Sequence, residues 1–173
     1  MGKSTLCYGV ALALAQAGKE VSIEDLDPQQ SVSGWIDFER DGLTEIGGEV
    51  VCIDTRPAID DQSVLNAIKE ADVIVMPSTP SPADLTAGKA TADVIRSHKR
   101  RNAKTIVVLN MMRKRTFFSD HAREVVGQLG IKPAHTTVPE RQGIQRMVLD
   151  GWKGMNLDTR AEFLRLSIEL LSL

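Results

Sequence analysis

No charge of one sign dominates this sequence: 21 Lys and Arg stand against 23 Asp and Glu, a formal net charge of −2. A strongly charged partner, whether nucleic acid or an anionic membrane, must then be met through a local patch rather than a global field. Cysteine is scarce, with Cys7 among Leu6, Val10 and Leu12 and Cys52 between Val51 and Ile53. Two thiols in apolar surroundings suit reduced core packing in a cytosolic setting rather than a disulfide framework. Long apolar runs are also missing, each run falling well short of the roughly 20 residues that span a bilayer. No basic region followed by an apolar stretch opens the chain, so neither a membrane span nor an export signal is expected. His98, His121 and His135 have no metal-ligand spacing with one another or with the cysteines, which argues against a transition-metal centre. No internal repeat or low-complexity linker interrupts the chain, and its 173 residues, 42% of them hydrophobic, suit one compact domain.

Short β-branched runs predict strands at Val21–Leu26, Val50–Ile53, Val73–Met76 and Thr105–Leu109. Helical patterns fall between them. The first spans Ser4–Ala17, rich in Ala and Leu and closed by Gly18 as its C′ residue. Others are expected at Ser31–Arg40, Asp61–Ala71, Ala83–Lys99 and Asp120–Leu129, the last capped by Ser119. An extended piece from Ile131 to Val138 precedes a helix near Gln142–Asp150, a loop over Gly151–Asn156 and a last helix from about Thr159. Apolar strands alternating with amphipathic helices predict an α/β fold of three layers, a mostly parallel sheet with helices on both faces.

Gly2-Lys3-Ser4-Thr5 opening a helix matches the second half of the phosphate-binding loop G-x-x-x-x-G-K-[ST]. In that motif backbone N–H groups and the helix N-terminus face phosphates, the Lys neutralises them and the Ser hydroxyl completes a Mg²⁺ shell. Taken alone the tetrapeptide reads first as a polar helix start that happens to contain Gly and Lys, and its context changes that reading. Asp25-Leu26-Asp27-Pro28-Gln29 follows the next strand, where alternation places both carboxylates on one face and Pro28 stops the strand. Val50-Val51-Cys52-Ile53-Asp54-Thr55 is an apolar strand ending in Asp, the way a Walker B carboxylate reaches the water shell of Mg²⁺. Each such Asp alone is also a turn cap.

The order and spacing of these three elements resemble the ParA/MinD family of deviant Walker A ATPases. Ala71 to Leu85, with its strand, proline loop and helix start, Asn110 after a strand, and Val138-Pro139-Glu140-Arg141-Gln142 extend the likeness to small ParA partition proteins over nearly the whole chain. The resemblance implies a P-loop NTPase-like fold in a single nucleotide-binding domain over residues 1–173, with ATP and Mg as cofactors. It further implies that Lys3 contacts the β and γ phosphates, Ser4 binds Mg²⁺, Thr5 touches the α phosphate and Gly2 belongs to the cradle. Asp27 would orient the attacking water, Asp54 would support the metal through water, and Asp25 would be a nearby switch residue. Adenine would be met by Asn110 with Met111 and by the segment around Pro139.

Three departures qualify the likeness. The family pattern K-G-G-x-G-K-[ST] follows a strand, and here the strand, the signature Lys and two glycines do not precede Gly2, Met1 holding the variable position. The expectation is therefore of an N-terminally truncated relative with weakened hydrolysis and dimerisation. Between Ser31 and Val50 only a short Trp35-containing helix and a Gly-rich turn occur, where relatives carry an extra strand and helix. Arg56 stands where the family places a small residue or Pro.

Residues 94 to 119 hold eight basic side chains, Arg96, Lys99, Arg100, Arg101, Lys104, Arg113, Lys114 and Arg115, and no acid. Small ParA proteins bind nucleoid DNA without sequence preference, and this stretch, chiefly Arg96, Lys99, Arg100, Arg101 and Lys104, would supply the phosphate contacts. A solvated helix C-terminus favoured by the macrodipole is the other reading. The final helix is balanced in charge, unlike a membrane-anchoring helix. The resemblance thus implies a cytoplasmic, nucleoid-associated ATP hydrolase. It would segregate DNA or position cargo through a nucleotide-dependent homodimer, non-specific DNA binding and a centromere-binding or cargo-adaptor protein. The alternative is a degenerate relative that keeps the fold as an interaction module without ATP turnover.

Overall fold

The computed structural model of the protein describes residues 2–113 and 117–173. Along the chain run α1 (Lys3–Gln16), β1 (Val21–Asp25), α2 (Phe38–Asp41), β2 (Val50–Asp54), α3 (Gln62–Glu70), β3 (Val73–Ser78) and α4 (Pro82–His98). They are followed by β4 (Lys104–Met112), α5 (Phe117–Gly127), β5 (Lys132–Pro133), β6 (Val138–Pro139), α6 (Gln142–Gly154) and α7 (Leu157–Leu171). Every strand pairing is parallel, as strands joined by crossover helices require. The expected α/β class is observed, but the strands form two sheets rather than one. β1 pairs with β2, while β3, β4 and β5 run in that order with β6 also beside β4. Among the described residues β2 has a strand partner on one edge only. The chain divides into two compact units, Gly2–Pro57 with Arg141–Leu171, and Ala58–Glu140 with Ser172–Leu173.

In the first unit α1 is apolar on all sides, with Leu6 and the run from Tyr8 to Leu14 buried. Such a helix must be enclosed, and β1, β2, α6 and α7 all pack on it. Gly9 permits the close approach of α7, because a Cβ there would overlap the Phe163 ring. Gly18, at φ 84°, ends the helix as expected. Its N–H donates to the Ala15 carbonyl and that of Lys19 to the Leu14 carbonyl, the paired bonds of a Schellman cap.

The expected helix over Ser31–Arg40 is replaced by turns through Trp35, and helix forms only at Phe38–Asp41. Asp37 provides the reason, capping Arg40 N–H with its side chain, while the Ser33 N–H is drawn to Asp25 at 3.0 Å. The short helix delivers Asp41 to a fully buried position against α1. There the Tyr8 hydroxyl donates to Asp41 Oδ2 at 2.6 Å, Arg40 Nε donates to Oδ1 at 2.8 Å, and Asp37 N–H donates to Oδ2 at 3.1 Å. Burial works against the Asp41 charge, yet the donors from Arg40, Tyr8 and Asp37 more than offset it and hold the carboxyl below its usual range. The expected loop after Asp150 is corrected too, since helix continues to Gly154 across a kink at Gly151 (φ 57°, ψ −142°). A Cβ at Gly151 would collide with the Asp41 carboxylate, so the Asp41 cluster also requires this glycine. Arg40 Nη1 reaches past it to the Leu149 carbonyl at 2.7 Å.

In the second unit Val107 and Leu109 of β4 meet Ala92 and Ile95 of α4 and Ala122 and Val126 of α5 in one apolar cluster. Asp61 caps α3 and Ser81 caps α4, each accepting from a first-turn N–H. α5 starts at Phe117, so Ser119 lies within its first turn rather than capping it. A cap-forming residue in sequence locates a helix end only to within a residue or two. Among the described residues no helix is long and apolar enough to cross a membrane.

Gly9→Ala is expected to destabilise the protein by roughly 1–3 kcal/mol through overpacking against Phe163, read as a lower urea midpoint at unchanged slope. Tyr8→Phe leaves Asp41 short of one donor and is expected to cost about 1–3 kcal/mol. Because the Asp41 pKa is lowered on folding, its contribution is present above the unfolded carboxylate pKa and is lost as pH falls through the folded value. Asp41→Asn should therefore flatten the acid limb of stability against pH, read by urea unfolding at a series of pH values.

Candidate functional site

α1 begins on Gly2, whose left-handed backbone (φ 86°, ψ 23°) serves as the N-cap with no side-chain hydrogen bond. That conformation is open to glycine at little expense. The Gly2 carbonyl accepts the first helical bond, from Leu6 N–H at 3.0 Å. The first-turn amides of Lys3, Ser4 and Thr5 thus have no capping side chain and sit at the positive end of the helix dipole. An anion is the group this end can accept.

Asp54 closes β2 and is 1% exposed, with neither carboxylate oxygen hydrogen-bonded among the described residues. Burial raises its pKa above the ordinary carboxylate range. The nearby Ser4 hydroxyl opposes that rise, Asp25 adds to it, Lys3 opposes it and Asp27 adds to it. The helix start and the ends of the two strands therefore share one electrostatic neighbourhood. Leaving an ionised carboxylate buried and unpartnered costs at least about 1–3 kcal/mol, and a cation beside Ser4 and Asp54 would remove that penalty. The donor set, a hydroxyl and a carboxylate, suits Mg²⁺, which takes few protein oxygens and fills its shell from phosphate and water. No cluster of three His, Cys, Asp or Glu able to hold a metal unaided occurs among the described residues.

The loop after β1 is organised by Asp25, which accepts the Asp27 N–H at 3.1 Å on Oδ1 and the Ser33 N–H at 3.0 Å on Oδ2. Asp27 in turn accepts the Gln29 N–H at 3.0 Å on Oδ1, and the Leu26 N–H bonds to the Asp54 carbonyl at 2.8 Å, tying the loop to the end of β2. Strand β1 stops at Asp25, so the two carboxylates lie at a strand end and in a loop rather than on one strand face. Cys7 and Cys52 are free thiols. Burial pushes Cys52 up to about 12 and Cys7 well up as well, the latter helped by Cys52, Asp54 and Asp25. Both are unreactive in the neutral range.

Asn110 and Pro139 belong to the second unit, where β6 brings them together by pairing Asn110 with Val138 and Met112 with Pro139. Between Asn110 and Met112 the register shifts, and Met111 adopts φ 54° with its side chain exposed. A left-handed methionine is a strained residue, and nothing in the local sequence announces it. Arg56 is half-buried.

Comparison with known proteins supplies the context. Residues 1–151 match the CobQ/CobB/MinD/ParA nucleotide binding domain. The chain belongs to this family. Its curated relatives include the Maintenance of carboxysome distribution protein A of Halothiobacillus neapolitanus (strain ATCC 23641 / c2), 26% identical over 92% of this chain and 83% of that protein. The protein of the same name from Gloeobacter kilaueensis is 28% identical over 98% of this chain and 88% of that one. Among solved structures, the MinD cell division protein of Aquifex aeolicus superposes with TM-score 0.71 at 16% identity, covering 99% of this chain and 92% of that one. A ParA family ATPase from Chlorobium tepidum TLS gives TM-score 0.66 at 14% identity, covering 97% and 91%. These two establish the shared fold.

The basic stretch of this MinD/ParA-family domain is unevenly committed. Arg96 bonds Asp93 and the Leu129 carbonyl, Lys99 bonds the Ala103 carbonyl, and Arg100 bonds Asp72 and the Glu70 carbonyl. Arg113 pairs with Glu140. Arg101 and Lys104 have no side-chain partner among the described residues, and Lys114 and Arg115 lie outside the described residues.

Asp54→Asn removes the charge and keeps the shape. Because the Asp54 pKa is raised on folding, its ionisation withdraws stability as pH rises through the folded value. The variant should melt higher than wild type near neutral pH in the absence of nucleotide, by about 2–4 °C per kcal/mol recovered. A lower melting temperature would mean that the carboxylate is satisfied in the free protein.

Proposed function

We propose that the chain is a ParA-type ATPase that positions a cargo through ATP-dependent dimerisation and non-specific DNA binding. The observation that carries this reading is Asp54, a buried carboxylate without a partner, beside Ser4 and Lys3 at the uncapped start of α1. The α1 amides and the Lys3 ammonium hold the nucleotide phosphates, with Gly2 giving the backbone its close approach and Thr5 reaching the α phosphate. Ser4, and Asp54 through water, would hold Mg²⁺, which would supply charge neutralisation to the phosphates. Asp27, fixed on one oxygen by Gln29 N–H, offers the other to the attacking water. Asn110 and Pro139 meet the base.

Relatives named for carboxysome distribution favour cargo positioning over plasmid partition as the cellular task. The solved MinC:MinD complex of Aquifex aeolicus, superposing with TM-score 0.73, supports an adaptor protein as partner. Arg101 and Lys104, the uncommitted cations of the basic stretch, are the strongest candidates for DNA phosphate contact, with Arg96, Lys99 and Arg100 supporting them. We place the protein in the cytoplasm, on the nucleoid.

Calorimetric titration of Mg²⁺-ATP is expected to show saturable binding that Lys3→Ala abolishes. Asp27→Ala should bind normally and hydrolyse roughly 10²–10⁴-fold more slowly. No binding by the wild-type chain would establish an interaction module instead, and wild-type turnover in Asp27→Ala would remove Asp27 from the mechanism. Arg101→Glu should weaken retention on duplex DNA and lower the salt slope by about 1 while sparing DNA-free turnover. Unchanged retention would assign the stretch to a solvated helix end.

A further inference from the structure

We propose that a cleft at the N-terminal ends of β4 and β5 binds a free small molecule bearing a di- or polyphosphate group. The cleft encloses about 520 Å³ and is lined by Arg96, Lys99, Arg101, Lys104 and Lys132, with no acidic side chain among its lining residues. That volume lies in the range of small-molecule sites, roughly 300–1,000 Å³. It uses none of the α1 residues and does not depend on ATP binding there.

Two of the five cations are held in place by protein acceptors. Arg96 spans from α4 to the Leu129 carbonyl at 3.1 Å, and Lys99 Nζ donates to the Ala103 carbonyl at 2.6 Å. Gly130, at φ 68°, keeps the turn before β5 open, since a Cβ there would come within 3.3 Å of the Arg96 guanidinium. The other three, Arg101, Lys104 and Lys132, have no side-chain partner among the described residues. α4 ends at His98 and its dipole contributes about half a negative charge. One cation answers that, not three. Like charges gathered around one concavity repel, and a multiply charged anion relieves the repulsion.

Thr105 lines the floor of the cleft on the strand face that also carries Val107 and Leu109, which pack in the cluster containing Ala92 and Ile95 of α4. The cationic side chains therefore rim a recess whose floor is closed by the apolar layer. A terminal phosphoryl group can enter a recess of this size, whereas the phosphates of a duplex stay on the outside of a much wider cylinder.

The test is calorimetric titration of inorganic pyrophosphate at about 150 mM salt, where exposed charges are screened beyond about 8 Å. Lys3→Ala, which removes the proposed phosphate contact at α1, is expected to retain one saturable equivalent. Lys104→Glu combined with Lys132→Glu should weaken it by at least roughly tenfold, equivalent to about 1.4 kcal/mol. Lys104→Gln and Lys132→Gln, which each remove one charge and keep most of the aliphatic stem, should each weaken pyrophosphate binding at unchanged melting temperature, and they carry the test if the double variant fails to fold. Absence of saturable binding would overturn the proposal, as would loss in Lys3→Ala with retention in the cleft variants. Lys132→Glu, outside the proposed DNA contacts, should weaken pyrophosphate binding and spare duplex retention; equal loss of both would make DNA the occupant and overturn the proposal.

Discussion

The first unit of the structure depends on a single constraint, that α1 has no polar side. A helix apolar from Leu6 to Leu14, Gly9 and the Tyr8 hydroxyl apart, can exist in water only when enclosed. The elements that enclose it, β1, β2, α6 and α7, are thereby brought to the same axis. Because α1 starts at Lys3, enclosure carries its free amides to the ends of β1 and β2. The apolar packing and the polar site are two ends of one helix. Gly9 and Phe163 set how closely it is held, and Tyr8, the one polar group on the buried face, is matched by Asp41.

Asp41 and Asp54 are both buried carboxylates of the first unit, and their environments drive them in opposite directions. Asp41 receives donors from Tyr8, Arg40 and Asp37 and stays charged at low energetic cost. Asp54 has only the nearby Ser4 hydroxyl and Lys3 to oppose its burial, and its pKa is raised. The contrast separates a carboxylate held by its own neighbours from one that they leave largely uncompensated.

Much of this was legible in the sequence because the informative signals are local. A GKST helix start, a strand ending in Asp54 and the Asp-Leu-Asp-Pro turn each declare themselves within a few residues, and the structure brings their side chains together. What was illegible depends on contacts between distant positions. Ser31 to Arg40 has a helical pattern, but Asp25 takes the Ser33 N–H and Asp37 caps a later start. The Asp41 carboxylate leaves no room for a side chain at the Gly151 kink, and no periodicity in α6 reveals that neighbour. Likewise the charge run from Arg96 to Lys104 was evident, whereas Lys132 and Thr105 join it only through the pairing of β5 with β4 and the approach of α4. The division of the strands into two sheets was invisible to alternation, which reports strands and not their partners.

The one-sided pairing of β2 carries a consequence for the behaviour of the protein in concentrated solution. Val50 to Ile53 is an uncharged run of β-branched and apolar residues without proline, and Val51 is 48% exposed. A strand of that composition whose second edge is unpaired among the described residues has the features of a template for intermolecular pairing. Cover over that edge then governs how readily copies of the chain add to one another.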